Sequence, residues 1–190
     1  LPEPRYDETQ RRTLLEIARA SIEAGLRNAA PLAIDVEGHD AALRALRATF
    51  VSLRRNGDLR GCIGALEATR PLVADVARNA AAAAFRDPRF LPLTPEERVG
   101  LSIQVSVTSP LVPVPVAGEA ELIESLKPGV DGLVLESGAR RGTFLPAVWE
   151  QLPTPAEFVA ALKQKSGLPG HGWSSSYRVH RYTTESFSDE

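Results

Sequence analysis

The chain has 190 residues, a formal net charge of -2, 43% hydrophobic and 24% charged residues, and a single cysteine. That length fits one domain, residues 1–190, with room for two lobes and a buried core. The near-neutral charge excludes a global electrostatic case for nucleic acid or anionic membrane as partner. One thiol excludes an internal disulfide and a multi-cysteine zinc site, and it fits a reducing cytosol.

The expected location is therefore cytoplasmic. Leu1-Pro2-Glu3-Pro4 does not read as a signal peptide. No stretch reaches the roughly 18 apolar residues of a spanning helix, so no membrane partner is expected.

In chain order, Asp7 to about Arg27 reads as an amphipathic helix, with Asp7 and Gln10 as a capping pair. Ala29 to His39 is a connection, and Asp40 to Ala45 a short helix. Phe50 to Arg55 and Leu59 to Ala65 form a hairpin around Asn56-Gly57-Asp58. A two-residue loop sets Val51 opposite Cys62. A three-residue loop puts Val51, Leu53, Leu59, Gly61 and Ile63 on one face and Ser52, Arg60 and Cys62 on the other. The second separates apolar from polar more cleanly and is preferred.

Pro71 opens an alanine-rich helix to about Phe85, ended by Asp87-Pro88. Thr94 to Glu97 adds one helical turn, and Leu101 to Val107 alternates as a half-buried strand. Pro110 to Pro115 reads as a linker or edge segment, and Glu119 to Leu126 as a short helix. Asp131 to Glu136 and Arg141 to Leu145 form a second hairpin, Pro155 to Lys165 a helix, and Tyr177 to Thr183 a closing strand. Hairpins interleaved with helices indicate an α+β fold with a mainly antiparallel sheet and flanking helices.

The chemistry concentrates in Leu59-Arg60-Gly61-Cys62-Ile63-Gly64. A reactive thiol needs positive potential and access. Arg60 supplies the first if it shares a face with Cys62, and the glycines allow close approach. On the plainer alternative, Cys62 is a small buried apolar residue and the glycines let a helix pack on the sheet.

Gly61-x-x-Gly64 lacks the lysine and Ser/Thr of a phosphate loop. His39, His171 and His180 have no second ligand at metal spacing. No metal or cofactor is therefore expected. Asp87 and Arg89 are either a local turn device or a polar wall. Trp149 reads as core. Arg54, Arg55, Arg60, Arg178 and Arg181, with His180 and Tyr182, make RNA a possible ligand.

Several runs occur together in one order: Leu59 to Gly64, Ala84 to Phe90, Asp131-Gly132-Leu133, Gly142 to Pro146 and Leu162 to Pro169. Over nearly the whole chain this resembles the AMMECR domain family, whose prokaryotic form is called AmmeMemoRadiSam system protein A. The resemblance implies two unequal lobes with a cleft between them. It also implies partnership with a Memo-like protein and a radical S-adenosylmethionine (SAM) enzyme, and a site at the cysteine run. It implies no assigned reaction, so enzyme activity stays open.

Matched by position, Cys62 and Arg60 are the catalytic candidates. Gly61, Ile63, Gly64, Asp87 and Arg89 are the ligand-binding candidates. Ala147 departs from the family pattern, where relatives often carry a polar residue. The rival readings are a non-catalytic interaction module and an RNA-binding accessory domain.

Overall fold

The computed structural model describes residues 6–28 and 32–189. The N-terminal tetrapeptide and the start of the first connection, Ala29 to Pro31, lie outside the described residues. The chain runs α1 (Glu8–Asn28), α2 (Ala41–Arg44), β1 (Thr49–Arg55), β2 (Asp58–Gly64), α3 (Leu72–Phe85), β3 (Leu101–Thr108), β4 (Val112–Pro113), α4 (Glu119–Ser125), β5 (Gly132–Ser137), β6 (Arg140–Phe144), α5 (Pro155–Lys165), β7 (Arg178–Tyr182) and β8 (Thr184–Ser188). Among the described residues no helix is long and apolar enough to cross a membrane.

The fold is α+β, but with two four-stranded sheets rather than one, ordered β2-β1-β3-β8 and β4-β7-β5-β6. They belong to two compact units. The larger takes the chain up to Thr108 and again from Glu185, and the smaller spans Ser109–Thr184.

In the larger unit, α1 begins as the capping pair predicts. Gln10 N donates to Asp7 Oδ1 at 2.8 Å, and Asp7 N donates to Gln10 Oε1 at 3.1 Å. Each side chain closes the other's open backbone donor. Leu14, Ala18 and Ile22 from α1 and Val73, Val76, Ala77 and Ala80 from α3 are buried. They pack in one core with Val51 and Leu53 of β1 and Ile103 and Val105 of β3. Full burial of each leucine, isoleucine or valine among them contributes about 1.5–3 kcal/mol.

The larger sheet includes a strand absent from the sequence reading. After Thr183 the chain pairs β8 beside β3. Thr184-Glu-Ser-Phe-Ser carries one large apolar residue, so alternation gives almost no signal there. Charge ties it down instead: Glu185 accepts from Tyr6 N at 3.2 Å and from Arg11 Nη2 at 2.7 Å. Asp189, just beyond β8, accepts from Ile103 N at 2.7 Å and pairs with Arg19.

In the smaller unit, α5 begins where Pro155 predicts, with Thr154 as cap. Trp149 is core, stacked on Phe158 at 3.9 Å between centroids, and its indole Nε1 donates to the Asp131 carbonyl at 2.7 Å. Lys163 is fully buried yet satisfied. Its Nζ donates to Glu119 Oε2 at 2.7 Å, Gly172 O at 3.0 Å and Gly170 O at 3.2 Å.

Candidate functional site

The site begins with a turn. Asn56 and Gly57 adopt φ of 52° and 90°, the pair of left-handed residues that a tight two-residue hairpin turn requires. Arg55 therefore faces Asp58, and Arg54 faces Leu59. The next rung joins Leu53 to Gly61, so Arg60 is an extra residue, a β-bulge.

Beyond the bulge the register is the one preferred from the sequence, with Ser52 opposite Cys62 and Val51 opposite Ile63. The loop itself is the shorter one. Leu59, on the turn side of the bulge, is 39% exposed and does not join the apolar face it was assigned to. The bulge reverses the alternation between Leu59 and Gly61.

Cys62 is half-buried, and Ser52 Oγ donates to its Sγ at 3.1 Å. β2 is an edge strand, so the Cys62 amide groups point away from β1. Both are taken up by the loop after α3. Cys62 N donates to Asp87 Oδ2 at 2.8 Å, and Arg89 Nη2 donates to Cys62 O at 3.3 Å.

Asp87 and Arg89 also bind each other, Nη2 to Oδ2 at 2.7 Å and Nε to Oδ1 at 3.0 Å. Arg89 holds the buried Asp87 carboxyl well below the usual carboxylate range, against the opposing effect of burial, and the Cys62 N–H adds to it. The pair thus substitutes for a missing neighbour strand at one residue.

Arg60 does not serve the thiol directly. Its Nε and Nη2 bind Glu97 in a fork at 2.7 and 2.8 Å, and Nη2 also donates to Leu91 O at 2.9 Å. Arg60 pulls the Glu97 carboxyl down to about 2. Nη1 is buried without a hydrogen-bond partner. The Phe90 ring receives both Arg60 and Arg89, with guanidinium carbons 5.7 and 5.6 Å from its centroid.

The glycines separate. A Cβ on Gly61 would run into the Ala83 carbonyl of α3, so Gly61 lets that helix lie on the strand. A Cβ on Gly64 would meet the Phe50 ring and the Thr49 carbonyl. Gly61 therefore offers no open approach to a ligand, whereas Ile63 and Gly64 line a cavity on the α3 side.

Of the histidines, His39 lies in the larger unit, and His171 and His180 in the smaller. His171 is exposed, between the two carbonyls held by Lys163. The RNA reading loses its stacking ring. Tyr182 is 1% exposed, and its hydroxyl pairs with Thr143 Oγ1 at 2.9 Å and donates to Phe144 O at 3.0 Å. Ala147 is exposed in the turn Pro146–Glu150.

Two features were not read from the sequence. Glu97 stands 37 residues from Arg60, and nothing local links them. Asp75 and Asn79 are buried on α3, where Asp75 Oδ2 accepts from Thr49 Oγ1 at 2.7 Å, Thr49 N at 3.0 Å and Asn79 Nδ2 at 3.0 Å. Two polar residues at i, i+4 within an alanine-rich face were the available signal.

The model of the AMMECR1 family matches residues 15–187. A protein of Methanothermobacter thermautotrophicus is 38% identical over 181 residues, covering 94% of this chain and 94% of its own length. The protein MJ0810 of Methanocaldococcus jannaschii is 34% identical over 180 residues, covering 90% of this chain and 86% of its own. The crystal structure of the uncharacterized protein PH0010 from Pyrococcus horikoshii superposes with a TM-score of 0.84 at 32% identity, covering 93% of this chain and 90% of that one.

Proposed function

The chain belongs to the AMMECR1 family, and from that premise we propose that it is a cytosolic component of an AmmeMemoRadiSam-type system. It acts with a Memo-like protein and a radical SAM enzyme, and it presents Cys62 as the contact thiol of a small-molecule or protein ligand. One observation carries the thiol reading. Asp87 and Arg89 take both outward amide groups of Cys62, which ties the strand to the loop after α3 at the residue that carries the half-buried sulfur. Preorganisation of this kind suits a group that must meet a ligand in a fixed geometry.

In this reading Arg89, which donates to the Cys62 carbonyl, is the cation at the cysteine, while Arg60 is held by Glu97. The test is alkylation of the native protein with iodoacetamide at pH 7, followed by intact mass. Stoichiometric modification at Cys62 is expected. A thiol that stays unmodified until the protein is denatured would overturn the reading.

A second reading has its own support. Gly61 and Gly64 are both filled from within the fold, and Arg60 is committed to Glu97. These are the marks of a run whose task is packing, as in a non-catalytic interaction module. Full cellular function of a folded Cys62→Ser protein would select it.

A further inference from the structure

A cavity of about 880 Å³ opens in the larger unit between α1, α3 and the end of β2. That volume lies within the range of small-molecule sites. Its apolar wall includes Ile34, Ile63 and Phe85, three side chains that sit at the margin of the core and are only partly covered. Its polar wall carries three arginines at eight-residue intervals, Arg70, Arg78 and Arg86.

The three differ in what they bind. Arg70 Nη1 lies 3.5 Å from Asp75 Oδ1. Arg78 and Arg86 are exposed, and neither forms an ion pair or a side-chain hydrogen bond among the described residues. Elsewhere in this unit Arg11, Arg12, Arg19, Arg44, Arg55, Arg60, Arg89 and Arg98 have carboxylate partners, while Arg47 and Arg54 donate to backbone carbonyls. Two unmatched guanidinium groups on the rim of an apolar cavity present forks suited to a carboxylate, sulfonate or phosphate.

We propose that this cavity binds an amphipathic organic anion, with its apolar body against Ile34, Ile63 and Phe85 and its charged end on Arg78 and Arg86. This does not rest on the thiol. Arg60, Gly61 and Cys62 do not line the cavity, and strand alternation puts Cys62 on the opposite face of β2 from Ile63. Within the cysteine run, Ile63 and Gly64 face this second site.

The probe is 8-anilinonaphthalene-1-sulfonate, titrated into the intact protein at low salt and followed by fluorescence and calorimetry. Saturable one-to-one binding is expected. The double variant R78Q/R86Q should weaken it at least about tenfold, since each lost charge-assisted hydrogen bond is a sizeable share of such an affinity. Both arginines are exposed, so the variant is expected to fold, with an unchanged melting temperature as the check.

Ala82→Phe, on the cavity wall, should block the same binding in a protein that still melts cooperatively. Cys62→Ser should leave it unchanged, which separates this site from the thiol reading. Absence of saturable binding, binding indifferent to R78Q/R86Q, or loss of binding in Cys62→Ser would each overturn the proposal.

Discussion

The two hairpins invite comparison, β1–β2 in the larger unit and β5–β6 in the smaller. Both close through two residues with glycine in the left-handed region, Asn56-Gly57 in one and Gly138-Ala139, with Gly138 at φ 59°, in the other. Both place an edge-strand glycine under a helix. Gly61 meets the Ala83 carbonyl of α3, and Gly142 meets Ser166 at the end of α5. Both edges are covered by polar side chains: Asp87 and Arg89 on Cys62, and Lys165 Nζ donating to Thr143 O at 2.9 Å.

They differ by one residue. β5–β6 pairs without interruption, and Arg141 faces its own cross-strand partner Glu136 at 3.6 Å. In β1–β2 the bulge takes Arg60 out of the ladder and sends it to Glu97. The single extra residue adds a tie to Glu97 that the second hairpin lacks, beyond the polar cover that both edges share.

The comparison breaks most visibly at the glycines. Gly61→Ala puts a methyl against a backbone carbonyl that cannot rotate away, and should cost on the order of 3 kcal/mol. Gly142→Ala meets first a serine hydroxyl that can turn, with the Ser166 Cα at 3.1 Å behind it, and should cost about 1–2 kcal/mol. Urea unfolding of both variants measures the difference. The reverse order would mean that α3 yields more easily than α5.

The edge covers should differ by less. Asp87→Ala removes a buried carboxylate, leaves the Cys62 N–H without its acceptor and frees Arg89, at about 2 kcal/mol. Lys165→Ala removes one exposed donor and a cation over the Phe144 ring, and should cost below about 1 kcal/mol. Similar costs would show that the Asp87–Arg89 cover is no stronger than a surface lysine.

The smallest effect sharpens the role of the bulge. Glu97 sits at about 2 against its ordinary 4.5, chiefly through Arg60. A carboxyl depressed in the folded state contributes stability that is complete above its ordinary value and is lost as pH falls through the folded one. Between pH 4.5 and 2, Arg60→Met should therefore lose less stability than the unaltered protein. Unfolding at stepped pH measures it, and equal slopes would remove Glu97 as a source of acid sensitivity.

Local patterns were legible in the sequence. The Asp7–Gln10 cap, the Pro155 start of α5, the burial of Trp149 and the pairing of Ser52 with Cys62 all follow from short-range rules. The Cys62 register was reached for a partly different reason, since a two-residue turn plus a bulge gives the same offset as a three-residue turn. The Asn56-Gly57 pair itself favours the two-residue turn, while the carboxylate that receives the bulged Arg60, Glu97, is remote in sequence. The hold of Asp87 on the Cys62 amide is hidden for the same reason: it binds backbone, which no side-chain pattern records. β8 escaped because ion pairs rather than apolar alternation fix it.

That last strand sets an order of assembly. Ribosomal synthesis delivers the first helix, then three strands of the larger sheet, then the whole of the smaller unit, and only afterwards β8. The residues that receive Tyr6, Arg11 and Arg19 thus emerge after the whole of the smaller unit. The smaller unit has all its residues available to fold while the larger still lacks a strand. The unit that bears Cys62 begins before the smaller one and is completed after it.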